Sequence, residues 1–365
     1  MQVKDIVSFF EDIAPSSLQE GYDNSGLIVG NINDIVTGVL VTLDVTEDVV
    51  QEAIDLGVNM IVAHHPIVFS GLKRFNGSNY VERTVIKAIK NDIIIFAVHT
   101  NIDSVLINGV NTKISEKIGL VNTRILKPQN NILYKLVVFV PSEYAEKVRD
   151  AIFEIGAGSI GNYSACSFNS LGIGTFKPED ASNPFVGKKG SLHKEEEVRI
   201  EMVIPAYLLK KAEQVILKIH PYEEPAYDII AIKNSLKTVG AGMVGELPVS
   251  ESEIDFLKRI KDVFKQPFIR YTNLLNKDIK KVALCGGAGS FLLKDAINSE
   301  ADIFITGDFK YHQFFDADNQ IVIADIGHFE SEQFIKELFY DLLTIKFPNF
   351  AVYFTKKNTN PIKYL

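Results

Sequence analysis

Three short stretches concentrate the side chains that can hold a metal ion: Ala63-His64-His65-Pro66, His99-Thr100-Asn101-Ile102-Asp103 and Gly327-His328-Phe329-Glu330-Ser331-Glu332. Each follows a short apolar run that reads as a strand. Adjacent residues on an extended segment point to opposite sides. His64 and His65 therefore do not easily share one ion, but each can serve one ion of a pair. Pro66 keeps His65 out of helical geometry. The second stretch offers an imidazole, His99, and a carboxylate, Asp103. In the third, His328 and Glu332 are four residues apart, which places both on one face at the start of a helix. There the carboxylate can share the ion of the imidazole or bridge two ions. A lone histidine after a strand is ordinarily a hydrogen-bonding loop residue. The weight here rests on three such pieces at corresponding strand ends, the edge where open α/β sheets bind ligands.

The candidate ligands are then His64, His65, Asp103, His328 and Glu332. Imidazole with carboxylate suits zinc, iron, manganese or nickel better than calcium. Five protein ligands are too many for one catalytic zinc with an open position. Shared between two divalent ions per chain, with zinc the first choice, they leave room for an activated water, as in many hydrolases.

The elements that must position these residues alternate. Apolar spacing predicts a helix over 3–13, a strand over 38–43, a helix from Thr46 to its stop at Gly57, and a strand over 58–63. A helix over 80–91, a strand over 93–98 and a helix over 111–118 follow. The last 85 residues repeat the theme, with strands over 281–285, 303–306, 321–324 and 351–354, a helix over 291–299, and a long helix over 329–345. Strands apolar on both faces and alternating with helices predict an α/β domain. Its two related α/β halves read as a weak internal duplication. The middle differs. Runs at 134–140 and 198–204, each followed by a helix, predict an α+β ferredoxin-like insert, with 156–190 as its loop-rich part and 237–245 as a return linker. The expected organisation is a first half of the metal-binding domain over 1–127, an insert over 128–236 and a second half over 237–365.

Composition bounds the rest. The chain has 365 residues, 46% hydrophobic and 23% charged, which excludes general disorder. Its net charge of −8 disfavours a general nucleic-acid binder. No apolar run reaches the length of a membrane span, and the start lacks the pattern of a signal peptide; a cytoplasmic protein is expected. The two cysteines, Cys166 and Cys285, exclude a disulfide framework and disfavour a cysteine-based zinc site.

Taken with Tyr22-Asp23-Asn24-Ser25-Gly26-Leu27, Gly286-Gly287-Ala288-Gly289-Ser290 and Ile305-Thr306-Gly307-Asp308, the three metal-ligand stretches come in the order and spacing of a known family. The chain resembles the dinuclear metal-centre family of the NGG-one-interacting factor three type, whose members are also called GTP cyclohydrolase I type 2 homologues. The resemblance implies that His65 and Asp103 serve one ion and His64 and His328 the other, with Glu332 bridging. It implies a toroidal homohexamer whose sites face an internal cavity. His99 matches a position close to the metals that is not a constant ligand, which makes it a candidate for catalytic proton transfer. The middle segment, through Gly172-Ile173-Gly174, Asn183-Pro184-Phe185 and His220-Pro221-Tyr222-Glu223-Glu224-Pro225, resembles the insert of the longer bacterial members, similar to CutA and PII-like modules. One departure is Met243, where many members carry Arg; if that Arg contacts an anion, its absence weakens phosphate recognition here.

Lesser candidates remain. The loop Cys285-Gly286-Gly287-Ala288-Gly289-Ser290 can expose amides to an anion or merely form a tight turn. His220 sits in a proline-bounded turn and is disfavoured as a ligand. His312 can line the cavity. Asp23 can support the ligands or only make a turn. Cys285 reads as core and not as a nucleophile. The leading expectation is a metal-dependent hydrolase of a small anionic or nucleotide-like substrate, GTP cyclohydrolase being implied by the resemblance only. The alternative is a non-catalytic regulatory or scaffold hexamer with structural or sensing metals.

Overall fold

The computed structural model describes residues 1–365. The chain divides into two compact units, one made of Met1–Pro128 with Thr238–Leu365 and the other of Gln129–Lys237.

The first unit holds two sheets. One has five strands in the order Gly26–Val29, Ile94–Ala97, Met60–Ala63, Val39–Thr42 and Val352–Phe354, parallel except at its Gly26–Val29 edge. Its three inner strands are Val-, Ile- and Ala-rich and buried along their whole length, which requires cover on both faces. Helix Glu47–Leu56 supplies part of that cover. The Thr46 hydroxyl caps it by accepting the Val49 N–H at 3.3 Å, and Gly57 ends it at φ 69°. Val49, Val50 and Ala53 of this helix pack with Ile61, Ile95, Val85 and Ala88 in one apolar cluster.

The second sheet has six strands in the order Arg270–Tyr271, Val322–Asp325, Ile303–Gly307, Ile279–Ala288, Leu236–Glu251 and Val121–Gln129. Its Ile279, Ile303 and Val322 strands run parallel. Leu284, Ile305 and Ala324 lie side by side in it, as Thr42, Ala63 and Ala97 do in the first sheet. This register decides the site. Asp44, His64-His65 and His99 leave one sheet at one edge, while Asp308 and His328 leave the other at the corresponding edge, where Cys285-Gly286 lie near the end of their strand.

The second unit is a four-stranded antiparallel sheet, in the order Phe168–Phe176, His193–Pro205, Leu133–Pro141 and Tyr227–Ile232. Helices Ala145–Glu154 and Leu209–Ile219 bury Val148, Ile152, Ala212 and Ile216 against Leu136, Val138, Ile200 and Met202. No helix of the chain is long and apolar enough to cross a membrane.

Two expectations need correction. The stretch expected as a return linker lies within the 16-residue strand Leu236–Glu251. Its glycines hide the strand signal, yet they are what lets the neighbour approach: a Cβ on Gly240 would stand 2.1 Å from the Lys127 carbonyl oxygen. The long helix expected over 329–345 is two helices, His328–Glu332 and Ile335–Lys346. At the break, the Gln333 side-chain amide donates to the carbonyls of Phe264 (2.8 Å) and Glu330 (2.9 Å).

Candidate metal centre

Four imidazoles converge, and each has its Nδ1 tied down. His64 Nδ1 lies 2.9 Å from the Val98 carbonyl oxygen. His65 Nδ1 lies 2.7 Å from Asp44 Oδ1, His99 Nδ1 2.7 Å from Asp23 Oδ1, and His328 Nδ1 2.7 Å from Asp308 Oδ2. A carbonyl or carboxylate behind Nδ1 fixes the proton there and aims the Nε2 lone pair the other way, the usual support for a metal-binding histidine. Asp23 is itself braced, accepting the Thr100 N–H at 3.0 Å and the Thr100 hydroxyl at 2.5 Å.

The Nε2 atoms face carboxylates. His65 Nε2 and His328 Nε2 lie 3.0 and 3.1 Å from Glu332 Oε2. His64 Nε2 lies 3.6 Å from Asp103 Oδ1 and 3.9 Å from Glu332 Oε1. His64 Nε2 and Asp103 Oδ1 are buried with no hydrogen-bond partner, while the buried Glu332 Oε2 meets only the His65 and His328 ring nitrogens. His64, fully buried and with its Nδ1 proton committed, presents a bare lone pair to carboxylate oxygens. Acceptors gathered out of water with no donor between them are costly. A cation removes that cost, so these residues fit a metal. His65, His328 and Glu332 form one set able to hold an ion, and His64, His65 and His99 another.

Electrostatics in the absence of an ion point the same way. Burial pushes His64 down to about 4, keeping it neutral. Burial and then the Glu332 charge push Asp103 well above the usual carboxylate range. Burial opposes charge on His65 and His328 as well, but hydrogen bonding to Asp44 and Glu332 lifts His65 to about 9, and Asp308 with Glu332 lifts His328 to about 11. Glu332, against its burial, is held low by His328, His64 and His65. Protons thus occupy the positions that a metal's positive charge would take.

The glycine loop serves this carboxylate. Gly287 has φ 62°, and a Cβ there would stand 2.4 Å from Glu332 Oε1. The anion-binding alternative for this loop is not borne out at its amides. The N–H groups of Gly286, Gly287 and Gly289 donate to Asn111 Oδ1, Ser331 Oγ and Thr306 Oγ1, each at 2.9 Å.

The centre lies in the wall of a cavity of about 1120 Å³, also lined by Tyr22, Phe69, Tyr80 and Phe291. Cys285 lines it too, and burial together with Asp103 and Glu332 keeps its thiol protonated far above the ordinary range. His312 lies outside, exposed beside Tyr311 and Phe315. In the second unit His220 is buried with both ring nitrogens engaged, by the Phe139 carbonyl at 2.9 Å and the Tyr222 N–H at 3.0 Å. Met243 is fully buried, its sulfur 2.8 Å from Ser115 Oγ, so this departure is a packing matter. The sequence reading missed Asp44 and Asp308 as partners of His65 and His328. Their signal was position: each follows a strand by one or two residues at the same edge as the histidines.

A family model described as Duf34/NIF3 (NGG1p interacting factor 3) matches residues 1–361. The chain belongs to this family. It is 40% identical over 365 residues to a protein of Halalkalibacterium halodurans named GTP cyclohydrolase 1 type 2 homolog, covering 99% of this chain and 98% of that one. A Bacillus subtilis protein of the same name is 38% identical over 367 residues, covering 99% and 98%. Among solved structures, a Bacillus cereus protein related to NIF3 superposes with a TM-score of 0.86 at 38% identity, covering 100% of this chain and 99% of that one. A Staphylococcus aureus protein gives a TM-score of 0.77 at 32% identity, with the same coverage.

Proposed function

We propose that the centre holds two divalent ions, zinc in first place, and that the protein is a metal-dependent hydrolase of a small anionic or nucleotide-like substrate. The observation that carries this reading is the pair of buried, partnerless acceptors His64 Nε2 and Asp103 Oδ1, set beside a Glu332 carboxylate that His65 and His328 share. His64 with Asp103 would hold one ion and His65 with His328 the other, with Glu332 within reach of all three histidines. That pairing differs from the one the family resemblance implies. Two divalent ions supply Lewis acidity and lower the pKa of a bound water.

The protein's own groups do the rest. Asp44, Asp308 and the Val98 carbonyl keep His65, His328 and His64 aimed inward. His99, oriented by Asp23, is the residue we assign to moving a proton between water and substrate. Its ring stands edge-on to both His64 and His65, centroids 5.1 and 5.2 Å away. A positioned imidazole contributes roughly 10²–10⁴-fold in rate.

Support for a finer organisation comes from the family resemblance alone. We propose a cytoplasmic homohexamer whose centres face an internal cavity, with the middle unit an inserted CutA/PII-like module.

The test is a hydrolysis screen of zinc-, iron- and manganese-loaded protein against phosphate monoesters, nucleosides and cyclic amides. Turnover lost in His99→Gln with both ions kept is expected for a proton carrier; loss of an ion in the variant would instead make His99 a ligand, as its place beside His64 and His65 allows. Full metal occupancy with no turnover on any class would favour the non-catalytic regulatory reading.

A further inference from the structure

We infer that the ligand of this centre is a flat aromatic molecule carrying one metal-binding anionic group, and not a polyphosphate. This rests on the two-ion reading above and adds what the cavity selects.

The residues that line the cavity include no lysine and no arginine. Their charged members, apart from the histidines, are carboxylates: Glu20, Asp44, Asp103 and Glu332. A di- or triphosphate needs several cationic or N–H donors along its length. The loop that could have offered amides has those of Gly286, Gly287 and Gly289 already bonded to protein acceptors. Two divalent ions would not supply the missing charge. Asp103 and Glu332 would meet them directly, while Asp23, Asp44 and Asp308 sit one imidazole away. Five carboxylates against two divalent ions leave no net positive field to draw in a polyanion. One anionic group, binding at the ions themselves, is the most this centre accommodates.

The remaining wall is aromatic. Tyr22, Phe69, Tyr80 and Phe291 line the cavity and are each more than half exposed to it or to its mouth. Phe69 reaches the centre: its ring stands perpendicular to that of His99, centroids 5.6 Å apart. A planar ring bound through its anionic group can pack against Phe69, with Phe291 in the wall of the same cavity. Aromatic pairs gain from such offset or edge-to-face contact beyond simple burial. The cavity, at about 1120 Å³, is large enough for a ring system of nucleobase size or more.

The test uses the full-length zinc-loaded protein and two matched pairs of probes, with binding read by calorimetry. Phenylphosphonate and methylphosphonate share one head group and differ by the ring. Guanosine monophosphate and guanosine triphosphate share the ring and differ in phosphate charge. The expected result is phenylphosphonate binding about tenfold or more tightly than methylphosphonate, and the triphosphate binding no more tightly than the monophosphate. Phe69→Ala and Phe291→Ala, both at exposed rings, should shrink the phenyl advantage while metal content and methylphosphonate affinity stay as in the wild type. Equal binding of the two phosphonates, failure of both to bind a metal-loaded protein, or a triphosphate bound tenfold more tightly than the monophosphate would overturn the inference and leave the two-ion reading standing. A protein that takes up no metal would overturn both.

Discussion

His64 Nε2 and Asp103 Oδ1 lie 3.6 Å apart, both buried and both without a hydrogen-bond partner. With the His64 proton held on Nδ1 by the Val98 carbonyl, the pair is a lone pair facing a carboxylate. An unsatisfied buried polar group costs about 1–3 kcal/mol, a cost that a cation placed between the two would remove. Burial and then the Glu332 charge push the Asp103 carboxyl well above the usual carboxylate range, so holding its charge there is unfavourable without a cation.

Asp103→Asn keeps the shape of this position and removes its charge. The expected outcome is loss of one of the two ions, with the ion at His65 and His328 retained, read by elemental analysis on protein prepared without added metal.

The carboxylates behind the histidines should matter without touching an ion. Asp44→Ala and Asp308→Ala free the His65 and His328 rings to rotate and make them weaker bases. Loss of such outer support typically costs about 10–100-fold in metal affinity, measurable by competition with a chromogenic chelator. Asp44 also accepts a 2.7 Å hydrogen bond from the Thr359 hydroxyl, so Thr359→Val should show a smaller change in the same direction.

The pH dependence has a definite sign. In the metal-free protein His65 titrates near 9, above its ordinary value of 6.5, because of Asp44 and Glu332. A raised pKa stabilises the fold fully below the unfolded-state value, and that stabilisation is lost as pH rises through about 9. Metal must displace the protons of both His65 and His328, so affinity should climb with pH through about 9 and on towards about 11, and uptake near pH 7.5 should release protons. Calorimetry in buffers of different ionisation enthalpy counts them; uptake with no proton release would contradict these assignments.

Gly287→Ala should damage the centre from behind. The position has φ 62°, a conformation costing a residue with a Cβ about 1–2 kcal/mol, and the new Cβ would press on Glu332 Oε1 at 2.4 Å. Reduced metal retention together with a lowered melting temperature of the metal-free protein is expected.

Much of this was legible in the sequence. Apolar runs such as Met60–Ala63 and Ile94–Ala97 are unmistakable because both faces are buried, and helix Glu47–Leu56 announces itself by Thr46 and Gly57. The site residues are legible because they fall just after such runs. Register is what brings them together, and register is invisible locally. The roles of Asp44 and Asp308 behind the histidines are not legible locally, because an aspartate just after a strand looks like turn chemistry. The strand Leu236–Glu251 was hidden by glycines chosen for close packing. Which carboxylate each of His64 and His65 faces depends on side-chain direction, which spacing along the chain does not determine.

Metal per chain, counted by elemental analysis on wild type and Glu332→Ala purified without added metal, tests the central claim most directly. The account predicts two ions per wild-type chain and loss of metal in the variant. A wild type that holds no metal, even after supplementation with zinc, iron and manganese, would contradict it.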